Sequence, residues 1–196
     1  MTKVVRTSPA GVLRICFADD GTLWALVKVQ DESGYEVKKY DTLRHYDQNG
    51  VLLGTALSNE HFKHDLFPSA EGGLSASHDR LGVYITRLDM WIEVSFDGTV
   101  LGHWILPANN YRHREVFLSP SNNVYFSYQS SPIDKQGHVA IGIDRFDKAE
   151  GVLTPVDAAE VLAPGEERMR LFGFDGDDAI VSKQLVHPML FWSRGL

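Results

Sequence analysis

Three aromatic residues, Tyr46, Phe96 and Phe146, stand at equal intervals of fifty positions. Each is followed by aspartate, then by a glycine turn and a Val-Leu pair. The phrases read Tyr46-Asp47-Gln48-Asn49-Gly50-Val51-Leu52, Phe96-Asp97-Gly98-Thr99-Val100-Leu101 and Phe146-Asp147-Lys148-Ala149-Glu150-Gly151-Val152-Leu153. A degraded fourth copy is Phe191-Trp192-Ser193-Arg194-Gly195-Leu196. Self-similarity at this period marks a chain built from one supersecondary unit that must bury its apolar faces against copies of itself.

The unit reads as two strand pairs. Leu13–Phe17 is an apolar run, Asp19-Asp20-Gly21-Thr22 is turn chemistry, and Leu23–Val27 returns. Leu43–Tyr46 alternates, Asp47–Gly50 turns the chain, and Val51–Leu53 runs back. The first hairpin recurs at Leu74–Ser77 with Val83–Ile85, at Val116–Ser119 with Val124–Ser127, and at Met169–Phe174 with Ala179–Val181. Helical signals are confined to single turns, at Asp157–Ala163 before Pro164-Gly165 and at Asn59–Phe67. The expectation is one all-β domain over 1–196, a β-propeller of four units near 12–56, 74–106, 116–156 and 169–196. Lys3–Arg6 would close the last unit beside Phe191 and Trp192, because an unclosed array exposes strand edges. A segment of a larger propeller, or a homodimeric ring, is the alternative.

The Asp-Gly hairpin, the aromatic-aspartate pair and the Gly-Leu return resemble the blades of bacterial β-propellers of the NHL and six-bladed type. The chain lacks the Gly-His and Trp-Asp signature of WD-type blades. Families with such blades include hydrolases, lactonases, lyases and pure binding scaffolds, so the resemblance implies architecture and leaves activity open.

Composition narrows the classes of partner. The 196 residues carry a formal charge of -7 with a pI near 5.6. That balance disfavours nucleic acid, whose phosphates require clustered Lys and Arg. No apolar run reaches the roughly 18 to 20 residues of a membrane span, and Met1–Arg6 lacks the apolar core of a signal peptide. The expectation is a cytoplasmic protein without membrane contact. Cys16 is the one cysteine, set in an apolar strand, and reads as a buried, inert thiol.

Chemistry is expected on the longer connections, since binding residues favour variable loops on a rigid scaffold. These are 28–41, 56–73, 87–90, 105–115, 128–138, 155–168 and 183–189. His61, His64 and Asp65 form the most suggestive metal-ligating cluster, although Lys63 between them opposes a cation and their ordinary role would be in a solvated or capped loop. Tyr111, Arg112, His113 and Arg114 can hold a carboxylate or phosphate, since guanidinium binds planar anions through two parallel hydrogen bonds. Their ordinary role would be salt bridges to Glu115, Asp89 or Glu93. Asp89, Asp134, His138 and His187 fall in corresponding loops and would converge on the ring axis. His45 and His78 read as structural histidines, and Asp47, Asp97 and Asp147 as turn residues that accept backbone hydrogen bonds.

No nucleophile elbow, activated cysteine or phosphate loop is present. The reading is a non-catalytic scaffold without cofactor that presents its loop-rich face to a protein or small ligand. The alternative is a metal-dependent hydrolase or lactonase that uses a divalent metal at His61, His64 and Asp65.

Overall fold

The computed structural model describes residues 10–30, 32–33, 40–58, 72–108, 111–130, 133–156, 160–163, 166–175 and 178–185. The described chain is all-β, with four antiparallel sheets taken in sequence. The first contains β1 (Ala10–Phe17), β2 (Leu23–Val29), β3 (Asp41–Tyr46) and β4 (Leu52–Ser58), paired in that order. The second repeats the meander with β5 (Gly73–Ala76), β6 (Arg80–Ile85), β7 (Met90–Ser95) and β8 (Val100–Ile105). The third comprises β9 (Tyr111–Leu118), β10 (Val124–Ser130), β11 (Val139–Asp147) and β12 (Val152–Pro155), with β13 (Glu160–Leu162) also on β11. The fourth is the pair β14 (Glu167–Asp175) and β15 (Asp178–Leu185).

First strands lie together at the centre: β1 packs against β5, and β5 against β9. Successive four-stranded meanders with their first strands inward form the architecture of a β-propeller. Residues 1–9 and 186–196 lie outside the described residues, and the expected clasp of Lys3–Arg6 with Phe191 and Trp192 falls among them.

The repeated aspartates do the work their position suggested. Asp47 Oδ1 accepts from the backbone N–H groups of Asn49 (2.8 Å) and Val51 (2.7 Å). Asp97 Oδ1 accepts from Thr99 (2.9 Å), and Asp147 Oδ1 from Ala149 (2.9 Å) and Glu150 (3.0 Å). In the hairpin after β3, Gly50 adopts φ 77 so that its N–H reaches the Asp47 carbonyl at 2.9 Å. The β9–β10 turn makes the same closure with Asn122 at φ 61, a conformation that asparagine tolerates better than other side-chain-bearing residues.

Two expectations are corrected. Residues 157–163 were expected as a helical turn, yet Glu160–Leu162 forms β13, in register with Val139–Ile141. Leu162 packs there on Val139 and Ile141, so covering an open strand outweighs local helix propensity. The connection over 105–115 was expected as a loop, but Tyr111–Glu115 belongs to β9 and pairs with Ser127–Ser130. Its polar residues hide the strand from any hydrophobic pattern, and the backbone ladder to β10 decides the conformation.

Middle strands are buried on both sides because each sheet is covered by its neighbours. Trp24, Leu26 and Leu43 of the first sheet meet Leu81, Val83, Ile85, Ile92 and Val94 of the second. The other face of the second sheet sets Tyr84 and Trp91 against Val116, Leu118, Phe126 and Phe146. Phe126 lies edge-on to Tyr84, with centroids 5.3 Å apart and planes at 77°, an arrangement favoured by the ring quadrupoles.

One charge sits within this joint. Glu93 of β7 is 1% exposed. It accepts from Trp91 Nε1 (3.0 Å), Arg80 Nη1 (3.0 Å) and Lys148 Nζ (2.7 Å). Lys148 comes from the β11–β12 turn, also donates to the Asn122 carbonyl (3.1 Å), and lies 5.6 Å from the centroid of the Trp104 ring. Arg80 completes a fork with Asp79, through Nε to Oδ1 (2.9 Å) and Nη2 to Oδ2 (2.8 Å).

Gly82 makes room for Trp91 on the facing strand: a Cβ at position 82 would lie 1.9 Å from Trp91 Cη2. We expect Gly82→Ala to lower stability by about 1–3 kcal/mol through overpacking. Urea unfolding should show a lower midpoint at unchanged m-value, whereas an unchanged midpoint would refute the packing assignment. A second prediction concerns acid. Hydrogen bonding from Arg80 holds the Asp79 carboxyl down at about 2, from an ordinary 3.8. With the folded value the lower one, its contribution is complete above about pH 4 and is lost as pH falls toward 2. Its exposure to solvent keeps that contribution small. Asp79→Asn should therefore lose stability less steeply than the parent between pH 4 and pH 2, and parallel curves would count against the pair.

Candidate functional site

The first strands of the four sheets come together around one opening. A cavity of about 310 Å³ opens there. Cys16 of β1, Leu74–Ala76 of β5, Val116–Leu118 of β9, and Gly173 and Phe174 of β14 line it. The adjoining turns add Asp19, Ser77, His78 and Pro120. Each of the four sheets thus contributes its first strand to one wall.

The cavity's polar groups are tied across sheets. Ser75 Oγ accepts from the Leu118 N–H at 2.9 Å. Ser77 Oγ donates to Asn122 Oδ1 at 2.7 Å. At the mouth, His78 Nδ1 is paired with Asp19 Oδ2, linking the first turn of one sheet to the first turn of the next. Both of these side chains are about two-thirds exposed, at 67% and 66%. Cys16 is held as a thiol, because burial pushes its pKa from 9.0 to about 12. Phe174 packs on Tyr125 with centroids 5.1 Å apart.

The residues singled out from the sequence distribute differently. Asp89 occupies a left-handed turn (φ 45, ψ 45) after the 3-10 turn Thr86–Leu88. Its backbone carbonyl accepts from Leu106 N–H (2.7 Å), and its Oδ1 accepts from the Tyr84 hydroxyl (2.9 Å). Burial and this contact hold the Tyr84 phenol well above its usual range. Asp89 thus closes the connection over 87–90, which is a tight turn where a longer loop was expected. Asp134 and His138 do come together, within the β10–β11 connection. Asp134 Oδ1 accepts from the N–H groups of Gln136 (3.0 Å) and His138 (3.1 Å), and Oδ2 meets His138 Nδ1 at 2.5 Å. Burial acts to raise the Asp134 carboxyl, but the hydrogen bonds from His138 outweigh it and the net shift is downward. Tyr111, Arg112, His113 and Arg114 lie along β9, opposite Ser130, Gln129 and Tyr128. His61, His64, Asp65 and His187 lie outside the described residues. Among the described residues no three His, Cys, Asp or Glu side chains gather as a metal site. No helix among them is long and apolar enough to cross a membrane.

Sequence reasoning passed over the cavity residues because it sought chemistry on long connections. A signal was present: Cys16–Asp19, Ser75–His78, Leu118–Pro120 and Phe174 occupy corresponding places in the repeat, at the end of each first strand. His45, read as structural, stacks on Trp24 with centroids 4.1 Å apart and planes at 10°, and burial lowers its pKa.

No family model and no curated protein match this chain. Solved structures similar to it include hydrazine synthase of Kuenenia stuttgartiensis, 14% identical at a TM-score of 0.44. That match covers 86% of this chain and 53% of that one, so this chain spans about half the length of the hydrazine synthase chain. A streptogramin B lyase is 13% identical at a TM-score of 0.44, covering 92% of this chain and 70% of the lyase. A catalytically inactive virginiamycin B lyase from Staphylococcus aureus, solved with quinupristin, is 12% identical at a TM-score of 0.37, covering 98% and 89%. These are β-propeller proteins. The fold assignment for this chain rests on its own sheet order, and no activity is carried over from these structures.

Burial of the Cys16 thiol generates a prediction. At pH 8, iodoacetamide should modify native Cys16 about a thousandfold more slowly than the urea-unfolded chain, following the difference in thiolate population. Mass spectrometry of timed aliquots measures this, and comparable rates in the two states would overturn the assignment.

Proposed function

We propose that this chain is a binding scaffold that holds a small ligand in the axial cavity at the hairpin-turn end of the sheets. The single observation that carries this reading is the cavity wall, to which every one of the four sheets contributes its first strand. Its volume of about 310 Å³ is at the small end of the range for ligand pockets, roughly 300–1,000 Å³. The wall combines apolar side chains at Leu74, Ala76, Val116, Leu118 and Phe174 with polar groups that make up the larger share of its surface, so burial and hydrogen bonding would both contribute to binding. Cross-sheet bonds at Ser75 and Ser77 hold the wall in place before any ligand arrives, which reduces the ordering cost of binding.

A fragment titration followed by amide chemical shifts tests the reading. Perturbations should cluster at Ser75, Ala76, Leu118 and Phe174. Ala76→Leu should fill the cavity and abolish them, while Val116→Ala, which enlarges it, should retain them. Perturbations confined to 128–138 in the parent, unaffected by Ala76→Leu, would overturn the proposal in favour of the loop-rich face.

A further inference from the structure

The cavity's hydrogen-bonding capacity defines a class of ligand, an inference that rests on the reading of the cavity as a binding site. Ser77 is committed, since its hydroxyl donates to Asn122 Oδ1 at 2.7 Å. Ser75 is half committed: its oxygen accepts from Leu118 N–H at 2.9 Å, while its own proton has no acceptor among the described residues. His78 is also half committed. Asp19 Oδ2 occupies Nδ1, and an ionised carboxylate only accepts hydrogen bonds. In a neutral imidazole the proton then sits on Nδ1, which leaves Nε2 as an acceptor. The cavity accordingly offers a hydrogen-bond donor at Ser75 and an acceptor at His78.

Charge narrows the class further. Among the described residues no Lys or Arg lines the cavity, whereas the Asp19 carboxylate does. An anionic ligand would lose its hydration without gaining a cation in return and would face that carboxylate. Leu74, Ala76, Val116 and Phe174 supply the apolar part of the wall.

We infer that the cavity takes a small uncharged molecule with an apolar body and a hydroxyl group, an alcohol or phenol, whose O–H donates to His78 Nε2. A second oxygen on the ligand, or the same hydroxyl oxygen, accepts from Ser75. Asp19 positions the imidazole and selects its tautomer, and the apolar side chains of the wall add affinity through burial of the ligand's body.

Four probes of similar size separate these elements at pH 8: phenol, anisole, toluene and benzoate, each titrated against the full chain and followed by amide shifts. Phenol should bind about fivefold more tightly than anisole or toluene, as expected for one neutral hydrogen bond, and benzoate should bind most weakly. In His78→Ala, an exposed substitution, phenol should fall to the level of anisole, with toluene unchanged within about twofold given the scatter of such measurements. Equal affinities of phenol and anisole in the parent, or preference for benzoate, would overturn the ligand class while leaving the cavity a binding site. Failure of all four probes to perturb the cavity residues would overturn both readings.

Discussion

A buried carboxylate fixes the geometry on which the rest of this structure depends. Glu93 is taken almost wholly out of water, at 1% exposure. The cost of that desolvation is offset only because three donors surround it. Two of them, Arg80 and Trp91, belong to its own sheet, and the third, Lys148, reaches across from the next sheet. Apolar contacts between sheets tolerate sliding, whereas an ion pair at 2.7 Å does not. The same lysine also holds the Asn122 carbonyl, and Asn122 in turn accepts from Ser77. The charge therefore sets the angle between the second and third sheets and, through Asn122, positions one side of the axial cavity.

That linkage ties stability to the site. The β9–β10 turn carries Asn122 in a left-handed conformation, and its contacts with Ser77, Asp79 and Lys148 tie it to the second sheet and to the β11–β12 turn. The N–H of Leu118, which pairs with Val124 at the end of the β9–β10 ladder, goes to Ser75. Short side chains of the cavity wall are already engaged in holding sheets together, and among the described residues the Ser75 proton and His78 Nε2 are open to a ligand. A site held this way is stiff, and under the reading proposed above it suits a small uncharged molecule better than a peptide.

Much of the fold was legible in the sequence because it is dictated locally. Asp47, Asp97 and Asp147 recur with glycine close behind, and the structure uses each to accept backbone N–H groups within its turn. The site was less legible. Asp89 and Asp134 were expected to converge on the axis, yet both engage groups close by in the chain, the Tyr84 hydroxyl and the His138 backbone. Tyr111–Arg114 looked like a basic loop and is strand, since pairing to β10 rather than side-chain pattern decides its backbone. The choice of face followed loop length, whereas the described cavity follows the convergence of strand ends.

By itself, then, the amino-acid order determined the fifty-residue period, the alternation of strand and tight turn, and the exclusion of helix from the core. All of these are settled by contacts within a few residues. Tertiary structure alone decided that Glu93 meets Lys148, that Ser77 meets Asn122 forty-five positions away, and that Asp19 and His78 share one mouth. Those pairings exist only after sheets have packed face to face. The free energy that selects them comes from burying Trp91, Phe126 and their neighbours, so no local motif records them.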